Sequence, residues 1–160
     1  MKNETQQQQL MKIRETIESQ PASIQSIDDV MRFLHESNEA FHWVGVYGLK
    51  DAQLHVGPYY GPETDHRIIP VGRGVCGTAV EQNKNQIVDD VKNIENYLAC
   101  NLETRSEIVV LIRDPDGSGR VLGQIDVDGK QTGLFNTQEA WFEEVAVLLG
   151  PSMKIFQESL

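Results

Sequence analysis

The chain has 160 residues, with 14 Lys plus Arg against 24 Asp plus Glu, a formal charge of −10. That balance excludes an electrostatic nucleic-acid binder, which needs clustered cations to displace counterions, and a polybasic membrane anchor. At 39% hydrophobic residues the chain can bury a core without covalent staples, and the longest apolar run, Ile108 to Ile112, is far too short to span a bilayer. Met1 to Gln9 is polar and Gln-rich, unlike a signal peptide, and two cysteines make no disulfide framework. A reducing, cytoplasmic setting is expected.

Leu10, Ile13 and Ile17 recur at helical spacing in a narrow stripe suited to one partner helix, and Pro21 ends the segment. Ser26 with Asp29 reads as the capping start of a second helix, whose apolar face is Ile27, Val30, Met31 and Leu34. From Phe41 the pattern changes. His42 to Tyr47 is aromatic and β-branched, hence a strand, and Leu54 to Val56 is a short partner stopped by Gly57-Pro58. Arg67 to Val71 forms a third strand, placed at an edge by Pro70. Cys76 to Gln82 reads as a short helix and Gln86 to Val88 as a brief strand. Asn93 to Arg105 has no period and reads as a loop or irregular helix. Glu107 to Arg113 and Arg120 to Asp128 form a hairpin about the turn-rich Asp114 to Gly119. Asn136 with Glu139 opens a last helix facing inward through Trp141, Val145, Leu148 and Leu149. Gly150-Pro151 should break or kink it, and Met153, Phe156 and Leu160 continue the stripe. The order predicts an α+β fold, a mainly antiparallel sheet with the N- and C-terminal helices packed on one face.

Gly72-Arg73-Gly74-Val75-Cys76-Gly77 matches GxGxxG literally, but the next strand arrives too soon for a dinucleotide-binding crossover. The glycines suit either a plain tight turn or a helix start whose free N–H groups hold an anion. Asp114-x-Asp116-x-Ser118-Gly119 opens like a calcium loop, yet its twelfth position is Ile125, so a turn is expected. His35 belongs on a helix flank, while His42, His55 and His66 read as surface or strand-end residues; none has metal-ligand spacing to a cysteine, and no metal site is expected. Cys76, at a helix N-terminus, and Cys100, in an irregular segment, are either buried fillers or reactive thiols. Asp126 and Asp128 share one strand face near Glu107; they are either a solvated sheet end or the wall of a pocket that holds an ammonium group or supplies a proton.

Five segments taken together resemble a GAF fold and, within it, the free methionine-(R)-sulfoxide reductases. They are His42 to Tyr47, Gly57 to Gly61, Pro70 to Ala79, Ala99-Cys100 with Ser106 to Val109, and Gly123 to Asp128. The specific parts are Gly74-Val75-Cys76-Gly77-Thr78-Ala79 and the six residues between Cys100 and Glu107. The resemblance implies one GAF domain over 1–160, with N-terminal helices in 1–40, sheet and pocket in 41–130 and a last helix in 136–160. It implies a six-stranded sheet and a homodimer, for which the terminal helices are the expected interface. Cys100 is similar to the family's catalytic thiolate and Cys76 to its second cysteine. Asp128, the third residue of the implied catalytic set, joins Glu107 and Asp126 as a pocket carboxylate. Trp43 resembles the apolar wall for the substrate's S-methyl group, and Tyr47 belongs with it among the substrate-binding residues. The implied reaction reduces free methionine sulfoxide through a cysteine sulfenic acid, with no bound cofactor and a thioredoxin-like protein as external reductant. Where the family usually carries a resolving cysteine upstream, this chain has His66; Asn101 and Asp89 also depart from the pattern. The alternative is a non-catalytic GAF module that senses a small ligand in the same pocket.

Overall fold

Strand residues point alternately to the two faces of a sheet, so each strand can serve two different environments. The computed structural model, which describes residues 3–95, 97 and 103–160, uses that property throughout. The described residues form six antiparallel strands: β1 (Phe41–Lys50), β2 (Gln53–Tyr60), β3 (Ile68–Pro70), β4 (Gln86–Val88), β5 (Ser106–Arg113) and β6 (Val121–Gly129). Their spatial order is β3-β2-β1-β6-β5-β4, which places β1 and β6 at the centre. Among the described residues no helix is long and apolar enough to cross a membrane.

One face carries Val44 and Val46 of β1, Ile108, Val110 and Ile112 of β5, and Ile125 and Val127 of β6. Three helices cover it: α1 (Glu4–Glu18), α2 (Ile24–Ser37) and α4 (Glu139–Glu158). The predicted face of α2 is fully buried, and Trp141, Phe142, Val145, Leu149, Met153 and Phe156 of α4 join it. The terminal helices thus lie on one face, as expected. The opposite face holds Trp43, Tyr47, Val109 and Leu111, and is covered by the short α3 (Gly74–Gln82) through Val75, Cys76 and Ala79.

Several local expectations change. The cap of α2 is Ser23, whose side chain accepts from the Ser26 amide, and Ser26 itself is buried inside the helix. The α1 stripe packs on both α2 and α4 rather than on one partner, and the Trp141 indole donates to the Gln6 carbonyl at 2.8 Å. Strand β2 does not stop at Gly57-Pro58. The register against β1 jumps from Gly45↔Tyr59 to Tyr47↔Val56, so these two residues form a bulge, where a proline lacking an N–H is tolerated. Helix α4 begins at Glu139 without a side-chain cap from Asn136 and runs unbroken through Pro151, which is exposed. The Asp114 turn closes on itself: Asp114 accepts from the Asp116 amide and from Arg120, and Asp116 accepts from the Ser118 amide. Its carboxylates are held by the turn, as expected of a turn rather than a calcium loop.

Gly45 shows how the second face is built. An added Cβ would lie 2.5 Å from Tyr59 Cβ and 2.6 Å from Trp43 Cη2, so the Trp43 ring occupies the space a side chain would take. Gly45→Ala is therefore expected to cost about 1–3 kcal/mol in urea unfolding and to shift the Trp43 emission. Unchanged stability and emission would contradict this packing.

Candidate functional site

The register of the three inner strands sets two rows of residues on the α3 face. Trp43 of β1, Asp128 of β6 and Glu107 of β5 are direct neighbours, and Val88 of β4 extends the row. In the next row Gly45 lies beside Asp126, which lies beside Val109. The three carboxylates therefore fall on one face at the same end of the sheet. Glu107 is 4% exposed and Asp126 and Asp128 are 1% exposed, which eliminates the solvated sheet end.

Helix α3 brings the thiol. A tight turn leads into it: the Gly72 amide donates to the Gly77 carbonyl at 2.9 Å, and Gly72 has a φ of +93°. Gly77 has no room for a side chain, since a Cβ would lie 2.5 Å from the Pro70 carbonyl oxygen. Cys76 is thus fixed in the first turn of α3. Its Sγ donates to Glu107 Oε2 across 4.0 Å, and donor atoms of Cys76, Glu107 and Asp126 all lie within 4.8 Å of one another. Burial holds the Asp126 carboxyl above the usual carboxylate range, and its bonds to Glu107 and Cys76 act in the opposite direction. Burial is the larger cause, because removal from water penalises the charged form more than these bonds favour it.

These groups open onto a narrow cleft lined also by Tyr47, His66, Ile69 and Arg73. The Tyr47 hydroxyl donates to the His66 carbonyl at 2.9 Å, tying β1 to the segment before β3. The free space is about 10 Å³, room for one water. An amino acid enters only if the walls move.

Of the residues singled out from the sequence, Cys76, Glu107, Asp126 and Tyr47 converge on this cleft. Asp128 and Trp43 lie in the adjoining row and are not among its lining residues. Trp43 is fully buried, stacked at 5.1 Å on Tyr59 and 6.1 Å from Tyr47. Cys100 lies outside the described residues, as does Asn101. His42 lies at the start of β1, a strand end as read, but is buried, with Nδ1 3.9 Å from Glu103, whereas His66, read as a surface or strand-end residue, lines the cleft. His66 and Arg73 escaped notice as site residues because a loop residue's approach to a distant strand leaves no periodic signal. Gln124 is fully buried in the Tyr47 row, and its amide has no partner among the described residues. A polar residue flanked by Gly123 and Ile125 on an inner strand was the available signal for it.

No family model matches the chain. In sequence it is 37% identical over 106 residues to the free methionine-R-sulfoxide reductase of Escherichia coli K12, covering 66% of this chain but only 62% of that protein. Solved GAF domains share the fold. The free methionine-R-sulfoxide reductase of Neisseria meningitidis, solved in complex with its substrate, superposes with a TM-score of 0.85 at 26% identity over all of this chain and 96% of that one. The type II free methionine-R-sulfoxide reductase of Thermoplasma acidophilum is 33% identical, with a TM-score of 0.77 over 90% of this chain and 96% of that one. With that identity over nearly the whole of a solved enzyme, the chain belongs to the free methionine-R-sulfoxide reductase family of the GAF fold.

Proposed function

We propose that this chain reduces free L-methionine-(R)-sulfoxide to methionine at the cleft between α3 and the inner strands. The observation that carries the reading is the set of buried carboxyl groups facing a buried thiol, with burial holding the Asp126 carboxyl above the usual carboxylate range. A sulfoxide is reduced when a thiolate attacks its sulfur and a proton reaches its oxygen. In this reading Cys100 is the nucleophile: its thiolate and one proton take up the oxygen, giving methionine and a cysteine sulfenic acid. A second thiol then displaces water from the sulfenic acid to form a disulfide, which a thioredoxin-like dithiol reduces. That second thiol is Cys76 or the external reductant, since His66 stands where a resolving cysteine would be.

The proton belongs with Asp126, which lines the cleft, rather than with Asp128, which does not. Glu107 holds the substrate's ammonium group, with Asp128 beside it in register. Arg73 and the free amides of the first turn of α3 receive its carboxylate. Tyr47 and, behind it, the Trp43 ring form the apolar wall for the S-methyl group. The homodimer belongs to the same proposal, with Met11 of α1 and Val147 of α4 exposed on the helical face.

The first test is turnover of the two epimers of free methionine sulfoxide, with dithiothreitol and with a thioredoxin–NADPH system. Activity on the (R) epimer that disappears in Cys100→Ser is expected. No turnover with either reductant would leave a ligand-sensing GAF module as the better account. Side-chain roles separate in the kinetics. Asp126→Asn should lower kcat about 10²-fold or more with little change in KM, whereas Glu107→Gln should raise KM at least about tenfold; the opposite split would reverse the two assignments. Asp126 also sets a pH dependence. Its folded pKa is raised, so its contribution to stability is complete below the unfolded value of about 3.9 and is lost as pH rises through the folded value. Asp126→Asn should therefore gain stability relative to wild type as pH rises from 4 to 8, read by urea unfolding at each pH.

A further inference from the structure

The cleft that is too small for an amino acid has the dimensions of an ion site. We infer that Cys76 Sγ and one carboxylate oxygen each of Glu107 and Asp126 form a binding site for a thiophilic divalent cation of the zinc or cadmium class. Three observations carry it. The donor atoms of these residues lie within 4.8 Å of one another, with Sγ to Oε2 at 4.0 Å. Zinc bonds of about 2.3 Å to sulfur and 2.1 Å to oxygen, at tetrahedral angles, put such ligand atoms about 3.6 Å apart. The Sγ–Oε2 pair therefore needs to close by about 0.4 Å for zinc and the widest pair by no more than about 1.2 Å, and less for the larger cadmium ion. Second, Asp126 is 1% exposed and its Oδ1 has no hydrogen-bond partner among the described residues, while the same side chain lines the cleft. A buried carboxylate oxygen without a donor is poised to accept a ligand. Third, the free space of about 10 Å³ admits one ion or one water.

The donor set selects the class of ion. A thiolate with oxygen ligands suits a borderline or soft cation, not magnesium or calcium, which take oxygen ligands alone. Binding forms one metal–sulfur bond and releases the thiol proton to solvent. Thiolate and Glu107 carboxylate then balance the two positive charges, with Asp126 supplying one carboxylate oxygen. Ion and substrate would compete for Glu107 and Asp126. That consequence rests on the reductase reading; the ion binding itself does not.

The experiment is a cadmium titration of the reduced full-length chain, read by the ultraviolet sulfur-to-cadmium charge-transfer absorption and repeated with zinc as competitor. One equivalent of band is expected, reversed by zinc, kept in Cys100→Ser and lost in Cys76→Ser. Glu107→Gln should keep the band but weaken binding at least about tenfold. Circular dichroism of each variant separates lost ligands from lost folding. Absence of a band in the folded wild-type chain overturns the site, as does a band that follows Cys100 instead of Cys76. A calcium or magnesium excess that displaces cadmium overturns the class of ion. Because absorption reports binding without turnover, an inactive chain that binds cadmium would refute the reductase reading and leave the ion site standing.

Discussion

Burying ionisable groups on an inner strand face is the constraint around which this molecule is arranged. Glu107, Asp126 and Asp128 sit at the end of β5 and β6, shielded from water, where a lone carboxylate would be costly. Proximity of Glu107, Cys76 and Asp126 offsets part of that cost through shared hydrogen bonds, and burial shifts the Asp126 carboxyl toward its neutral form.

The rest of the fold supports this arrangement from behind. The helical face of the sheet is filled by Val44, Val46, Ile108, Val110, Ile125 and Val127 against α2 and α4, which fixes the strand register. A one-residue slip would carry the carboxylates into that apolar layer. On the site face, Gly45 leaves space for the Trp43 ring, and Gly77 lets α3 approach the Pro70 carbonyl. Bulk on one face and its omission on the other together hold the Cys76 thiol over the carboxylates.

Much of this was legible from the residues. The period of two along β6 correctly put Asp126 and Asp128 on one face, and the α2 stripe matched its buried surface. Gly57-Pro58 and Gly150-Pro151 misled, because local breaking propensity was overridden by a bulge in one case and by helix packing in the other. His66 looked like a surface residue because nothing adjacent in sequence reveals that the Tyr47 hydroxyl holds its carbonyl. The metal-ligand geometry was invisible for a similar reason: Cys76, Glu107 and Asp126 are far apart in the chain and follow no ligand spacing.

Periodicity, turn chemistry and motif order by themselves determined the elements, the α+β class and the kinds of residue available for chemistry, because each is a property of near neighbours along the chain. Only the tertiary structure decided that the carboxylates are buried, that Asp126 rather than Asp128 lines the cleft, and that Cys76 meets Glu107 and Asp126. Those outcomes depend on strand register and on how closely α3 settles onto the sheet, and both are set by contacts between residues distant in sequence.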